Sequence, residues 1–274
     1  MDKISVYIIA YNQEDKIEAA LKSVQWADEI VVADSFSTDR TVLIAKEHGA
    51  KVVQILFNGF GDLRNQAIAA CSNEWIFSLD SDERCTKEAQ EEILSIVLKA
   101  ANNSDSPHDL YYVPRKNFFM GQWVRHSGYY PDYRQPQLFK KGTLVFKSDP
   151  VHERYEIVSK KGAGYMKSAI HQIPYKNLEE MIEKKNRYST LGAKKLLLEK
   201  EDKSKFSSRD VPKSTMSTAL IHGIWSFIRT YLIKLGFLDG WAGFVIALGN
   251  FEETFYKYAK FYIADNLNQT TFKD

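Results

Sequence analysis

Trp75-Ile76-Phe77-Ser78-Leu79-Asp80-Ser81-Asp82-Glu83 is a short apolar run that stops abruptly in three carboxylates. An apolar run of this length, bounded by polar residues, reads as a buried strand, and a strand ending in Asp-x-Asp delivers two carboxylates to one rim of a sheet. That rim is where open α/β sheets bind ligands. Adjacent carboxylates repel each other unless a cation sits between them, so the spacing points to a divalent metal, Mg2+ or Mn2+, held by oxygen ligands and a phosphate. The same residues would also suit a solvated acidic turn opening a helix, where Asp and Glu are favoured.

The sequence on either side supplies the alternation such a strand needs. Upstream, Ile4 to Ala10 is a β-branched run, followed by a helical pattern with Ile17, Leu21 and Val24 on one face. Glu29 to Asp34 is a second buried strand, and Ser35-Phe36-Ser37-Thr38-Asp39 supplies N-cap candidates for a helix through His48, closed by Gly49. Lys51 to Leu56 is a third strand, Asn58 to Gly61 a turn, and Asp62 to Ala70 a helix; Thr86 to Lys99 is the helix after the acidic strand. Strand and helix alternating over short connections predict an α/β fold, a mostly parallel sheet with helices on both faces. The carboxyl ends of strands one, two and four then share one crevice, carrying Tyr11-Asn12, Asp34 and Asp80/Asp82. Neither G-x-G-x-x-G after strand one nor a P-loop motif is present, which removes the best support for a dinucleotide or P-loop site. Asp34 fits either of two roles, accepting hydrogen bonds from a ribose or base, or capping a helix.

Composition sets the bounds. A chain of 274 residues with 44% hydrophobic and 26% charged residues is globular, and long enough for a catalytic domain with an appendage. Its two cysteines, Cys71 and Cys85, form neither a C-x-x-C pattern nor a disulfide framework and read as core residues of a reducing compartment. The first residues run straight into strand-like sequence, so the expectation is a cytoplasmic protein. Residues 1–100 carry 10 Lys and Arg against 17 Asp and Glu, and the remainder 27 against 18. The first part therefore suits a metal, and the second an anionic partner or surface.

Several motifs resemble, in order and spacing, those of family 2 glycosyltransferases, which are inverting enzymes of the GT-A fold. They are Ala-Tyr-Asn at 10–12, Asp-Glu-Ile-Val-Val-Ala-Asp-Ser-Phe-Ser-Thr-Asp at 28–39, Asn-Gly-Phe-Gly-Asp-Leu-Arg-Asn at 58–65 and Leu-Asp-Ser-Asp-Glu at 79–83. The similarity is strongest to the lipopolysaccharide-core β-glucosyltransferase subgroup (WaaE/KdtX-like). The resemblance implies a UDP-sugar donor and a divalent cation, Mg2+ or Mn2+, bridging its diphosphate to the Asp-x-Asp pair. By position, Ala10, Tyr11, Asn12 and Asp34 would surround the nucleoside, Arg64 would approach the nucleotide, and Asp80 and Asp82 would serve ribose and metal. A departing diphosphate builds negative charge, which a metal stabilises as a Lewis acid.

From Leu110 the pattern changes to short strands and turns, which suits a second-substrate region. Arg115, Lys116, Arg125, Arg134, Lys140, Lys141, Lys147 and Arg154, interleaved with Trp123, Tyr129, Tyr130 and Tyr133, offer guanidinium and aromatic faces to a phosphorylated sugar, or form ordinary solvated surface. Inversion needs a base for the acceptor hydroxyl. The resemblance places it at Glu153 in Val151-His152-Glu153-Arg154, with Asp132 and Asp149 as fallbacks, and sets His171 as a further member of the metal or diphosphate shell, a position that would equally suit a structural His at a strand end. A nucleotide-sugar phospho- or nucleotidyltransferase would use the same metal and diphosphate, and a non-catalytic sugar-nucleotide-binding protein could keep the same fold.

The chain thus divides into an expected catalytic domain, 1–176, with a nucleotide-sugar half (1–100) and an acceptor half (101–176), and a helical region, 177–274. Asn177 to Glu201 reads as a charged helix and Lys203 to Lys213 as a polar linker. Ala219 to Lys234 and Trp241 to Leu248 are apolar blocks, neither with the roughly 20 uninterrupted apolar residues of a spanning helix. Their Trp, Phe and Tyr beside Lys and Arg suit a membrane interface or a homo-oligomer contact. The resulting expectation is an inverting hexosyltransferase, most simply of glucose, acting on a lipopolysaccharide-core or related glycolipid saccharide. It would sit peripherally at the inner face of the cytoplasmic membrane, with no nucleic-acid partner.

Overall fold

A computed structural model describes residues 3–102, 107–133, 135–147, 154–201 and 212–267. Two compact units are present: Met1–Asn117 with Pro131–Pro174, and Phe118–Tyr130 with Tyr175–Asp274.

In the first unit, β1 (Ile4–Ala10), β2 (Glu29–Asp34), β3 (Lys51–Gln54) and β4 (Trp75–Asp80) alternate with α1 (Glu14–Ser23), α2 (Thr41–Glu47) and α3 (Phe60–Ala70). They are followed by β5 (Glu83–Arg84), α4 (Lys87–Asn102), β6 (Leu110–Tyr112) and β7 (Arg115–Phe119), which leads into β8 (Gln122–Val124) of the second unit. The chain then returns through β9 (Pro136–Lys140), β10 (Leu144–Phe146), β11 (Tyr155–Ile157), β12 (Ala163–Tyr165) and β13 (Ile170–Gln172). Seven strands form one sheet in the order β12-β6-β9-β4-β1-β2-β3. Its β3-β2-β1-β4 block is parallel, and β9 runs antiparallel to both β4 and β6.

Period-two alternation sends side chains from each strand to both faces of the sheet. Val6, Ile8, Val32, Phe77 and Leu79 pack with Ile17 and Leu21 of α1 and Ile93 and Val97 of α4. Tyr7, Val31, Ala33 and Ile76 face the other way, against Leu63, Ala67 and Ile68 of α3. Each large apolar side chain fully buried in this way contributes about 1.5–3 kcal/mol. This is the mostly parallel, doubly covered sheet expected of the GT-A fold. Strand β9 is buried almost throughout because it lies inside the sheet with both faces covered. Asn65 clamps β10 by donating to the Phe146 carbonyl and accepting from its N–H, at 2.8 and 3.0 Å. Gly61 permits that approach, because a Cβ there would lie 2.2 Å from the Lys147 carbonyl oxygen.

The second unit is helical: α5 (Leu178–Glu201), α6 (Met216–Ile228), a π-helical turn (Arg229–Ile233), a short 3-10 turn (Gly236–Asp239) and α7 (Gly240–Leu267). Most of the expected linker, 203–211, lies outside the described residues. Helix α7 is tied to α5 by Lys185, which donates to Asn250 and Glu253 at 2.8 and 3.0 Å, and by Lys260, which donates to Asn186, Ser189 and Thr190. Phe119, Val124, Met181, Ala242 and Ile246 form a small core of this unit. No single described helix is long and apolar enough to cross a membrane; α6 and α7 meet that test only as a pair bent by 69°.

Candidate functional site

The site is built where the chain order reverses. From β1 the chain steps outward to β2 and β3, then returns to β4 on the other side of β1, which leaves a crevice at the carboxyl ends of these strands. Register places Ala10 beside Asp34 and Ile9 beside Asp80. Two inter-strand spacings therefore set Asp34 and Asp80 about 10 Å apart across the end of β1.

The rim on the β2 side is pre-ordered by its own loops. Asn12, at φ 51, accepts from the Thr38 N–H at 2.8 Å and donates its own N–H to Ser37 Oγ at 2.9 Å. Asn tolerates this left-handed conformation better than most side chains. Asp34 is fully buried, and its carboxylate receives the Ser37 N–H at 2.8 Å and the Ser37 hydroxyl. Asp39 and Thr41 receive the Glu14 and Gln13 N–H groups, and Glu14 in return receives that of Arg40. The starts of α1 and α2 thus cap one another. Tyr11 and Phe36 remain more than half exposed. Phe36 holds φ 60, a costly conformation for an aromatic residue, and such strain concentrates at binding sites. In the sequence Phe36 stands only within the capping loop and the 28–39 motif, with no role of its own; the available signal was a lone aromatic in a polar strand-end loop.

On the β4 side, Arg64 is almost wholly buried and donates to Asp80 Oδ1 at 2.9 Å and Ser78 Oγ at 3.3 Å, with its guanidinium 5.6 Å from the Phe146 ring centroid. It therefore reaches the crevice through Asp80 rather than beside it. Glu83, unlike the half-buried Asp80 and Asp82, is fully buried. Its buried carboxylate receives the Asp80 N–H at 2.9 Å, Gln137 Nε2 at 2.9 Å and Arg115 Nε. Burial and repulsion from Asp80 and Asp82 raise the Glu83 carboxyl above its usual range, while Arg115 opposes the rise. The placement of Arg115 corrects its reading as part of a basic acceptor surface. Its guanidinium is an interior counter-ion, exposed by only 2%. The alternation Arg115, Asn117, Phe119 on the buried face of β7 was the signal in the sequence.

Asp82 accepts from Gln172 Nε2 at 3.5 Å, and its carbonyl receives the Ile173 N–H. Gln172 pairs in register with Glu83 and Asn117, whereas His171 pairs with Arg84 and Lys116. Alternation along β13 therefore turns His171 to the face opposite Gln172. The structure does not bring His171 together with the carboxylate pair; burial, then Lys116, lowers its imidazole pKa. Asp132 bridges to Arg115 in the backbone and accepts from Asn117 Nδ2 at 3.4 Å. Glu153, His152 and Asp149 lie outside the described residues, as does Arg134. Cys71 and Cys85 are core thiols, which burial pushes up to about 12.

Among the described residues, no group of three or more His, Cys, Asp and Glu side chains could hold a metal by itself. Asp80 and Asp82 still match the donor set of Mg2+ or Mn2+, which takes one or two carboxylates and completes its shell with phosphate and water.

Comparison with known proteins shows the family. The sequence profile of the family described as glycosyl transferase family 2 matches residues 5–173. An uncharacterised glycosyltransferase of Rickettsia bellii is 31% identical, over 89% of this chain and 80% of its own. A lipopolysaccharide core biosynthesis glycosyltransferase, LpsC, of Rhizobium meliloti is 30% identical, over 69% of this chain and 70% of its own. Among solved structures, S. aureus TarS 1-349 in complex with UDP aligns over 99% of this chain and 94% of its own, at 17% identity and a TM-score of 0.47.

Proposed function

The chain belongs to glycosyl transferase family 2, and from that premise we propose that it is an inverting, metal-dependent hexosyltransferase. It would move a sugar from a UDP-sugar to a lipopolysaccharide-core or related cell-surface glycolipid saccharide. The observation that supports this reading is the register that sets Asp34 beside Ala10 and Asp80 beside Ile9, with Asn12 and Asp82 following two residues after the ends of β1 and β4. The relative whose name refers to lipopolysaccharide core biosynthesis supports the acceptor class.

In this reading the nucleoside lies against the exposed Tyr11, Asn12 and Phe36, while the buried Ala10 and Asp34 form the floor beneath them and Asp34 holds the rim loop through Ser37. Asp80 and Asp82 would hold Mg2+ or Mn2+, which would supply Lewis-acid stabilisation of the departing diphosphate. Arg64 acts on the nucleotide through Asp80, which it holds in place. The base we assign to Glu153, on the resemblance of Val151-His152-Glu153 to the family's motif, with Asp132 and Asp149 as the alternatives. A membrane-bound acceptor would place the enzyme peripherally at the inner face of the cytoplasmic membrane.

The test is metal-dependent release of UDP from a panel of UDP-sugars, followed by transfer to a lipopolysaccharide-core saccharide. An Asp82→Ala variant indistinguishable from wild type would sink the proposal. Glu153→Gln is expected to bind UDP normally and lose transfer; full activity would move the base elsewhere.

A further inference from the structure

The α6–α7 turn of the second unit combines four properties. First, it is apolar at its surface: Leu232, Ile233, Phe237, Leu238 and Trp241 are all exposed, with Ile233 at 58% and Leu238 at 56%. Second, its charge has one sign. Between Ser214 and Phe251 the charged residues are Arg229, Lys234 and Asp239; the two cations are exposed and the acid is buried. Third, it is broken rather than straight, through a π-helical turn, Leu235 at φ 57 and a short 3-10 turn. The two helices qualify by length and composition only as a pair bent by 69°.

Fourth, the polar groups at the break are satisfied internally. Asp239 accepts from the N–H groups of Arg125 and His126, each at 3.0 Å, from Ser127 Oγ at 3.0 Å and from His126 Nδ1 at 3.1 Å. The Lys234 carbonyl receives the Ser127 N–H at 2.8 Å, and Thr230 Oγ1 receives Asn250 Nδ2 at 3.2 Å. Non-helical backbone survives at membrane depth only when protein groups satisfy it.

We propose that this turn is a re-entrant wedge that enters one leaflet of an anionic bilayer and does not cross it. The apolar tip supplies burial in the acyl region, the aromatic residues suit the interface, and Arg229 and Lys234 meet lipid phosphate. A second copy of this chain fits the surface less well. A two-fold contact through this turn would bring together two copies of Arg229 and Lys234, with no exposed acid between Ser214 and Phe251 to balance them. The proposal deepens the reading of a lipid-linked acceptor and rests on it, naming the surface and the mode of attachment.

The experiment uses the full chain with vesicles of phosphatidylcholine, with and without phosphatidylglycerol. Wild type is expected to sediment with anionic vesicles, and the double variant Ile233→Asp/Leu238→Asp to lose at least about ten-fold in partitioning. Both substitutions are at exposed positions, so circular dichroism and soluble UDP release should be unchanged. Arg229→Gln/Lys234→Gln should lose about 30-fold on anionic vesicles, from about 1 kcal/mol per cation, and nothing on neutral ones. With Cys71 and Cys85 buried, Leu238→Cys gives a single reporter thiol, expected to be shielded from impermeant maleimide on both sides of the vesicle.

Labelling from the far side would overturn the proposal in favour of a spanning hairpin. Sedimentation that survives Ile233→Asp/Leu238→Asp would overturn the wedge while leaving membrane attachment intact. No sedimentation of wild type, together with a dimer that the same variant dissolves, would overturn it in favour of a second copy. UDP release measured without vesicles reports on the transferase reading independently of each outcome.

Discussion

Glu83 receives the backbone N–H of Asp80 at 2.9 Å, so the third acid of the Asp-Ser-Asp-Glu stretch is the scaffold for the first. Strands β4, β7 and β9 all meet at this one buried carboxylate, through Asp80, Arg115 and Gln137. Removing one partner of a buried ion pair strands the other charge, at a cost of about 3–5 kcal/mol. Glu83→Gln and Arg115→Met should therefore each lose stability on that scale in urea denaturation. The double variant should recover a large part of the loss. Equal, additive losses in the double-mutant cycle would show that the two side chains do not act as a pair.

Phe36 makes a prediction with two opposed signs. Its left-handed backbone is strained for a residue with a side chain, so Phe36→Gly relieves a cost of about 1 kcal/mol and should leave the melting temperature unchanged or raised. If its exposed ring is a stacking face for the uracil base, the same substitution loses about 1–3 kcal/mol of binding. Calorimetric titration with UDP should then show affinity falling at least about five-fold in a protein no less stable. Unchanged affinity would remove Phe36 from the site.

Much of the first unit was legible in the sequence because its strands are short, β-branched and separated by helices with a clear apolar stripe. Ile4 to Ala10, Glu29 to Asp34 and Trp75 to Leu79 carry the pattern of a doubly covered sheet, and the polar residues that follow each of them mark its rim. The partners of Glu83 were not legible, since Arg115 and Gln137 lie 32 and 54 residues away and meet it only through sheet topology. Composition also misassigned Arg115, because a cation among other cations looks like surface until its strand face is known. The excursion Phe118–Tyr130, which packs with the C-terminal helices as part of the second unit, depends likewise on long-range contacts such as Arg125 to Asp239.

Acid should loosen the first unit through Glu29 and Asp39. Burial opposes ionisation of Glu29, but the Ser5 hydroxyl and the Ser72 N–H and hydroxyl outweigh it and hold the carboxyl below its usual range. Burial likewise opposes ionisation of Asp39, and the Thr41 hydroxyl and N–H with the Glu14 N–H outweigh it. A pKa lower in the folded than in the unfolded state means that the unfolded chain binds the proton first. The stabilisation is complete above about pH 4.5 and is lost as pH falls through the folded values. Melting temperature should drop over that window, and Glu29→Gln and Asp39→Asn should each flatten the slope while lowering stability at neutral pH.

The turn of the second unit depends on a contact that only glycine allows. A Cβ on Gly243 would lie 1.8 Å from the Gly236 carbonyl oxygen and 3.1 Å from the Asp239 side chain. The obstacle is backbone, so no rotamer change relieves it, and Gly243→Ala must push α7 away from the 3-10 turn. Overpacking of this kind costs about 1–3 kcal/mol. The displacement should also loosen Asp239 from the N–H groups of Arg125 and His126, so amide exchange at those two positions should quicken. Leu238→Ala, at an exposed neighbouring position, should leave both stability and exchange close to wild type. If Gly243→Ala proved as stable as Leu238→Ala, with slow exchange at Arg125 and His126, Gly236 and Gly243 would not be in contact and the turn would be looser than described.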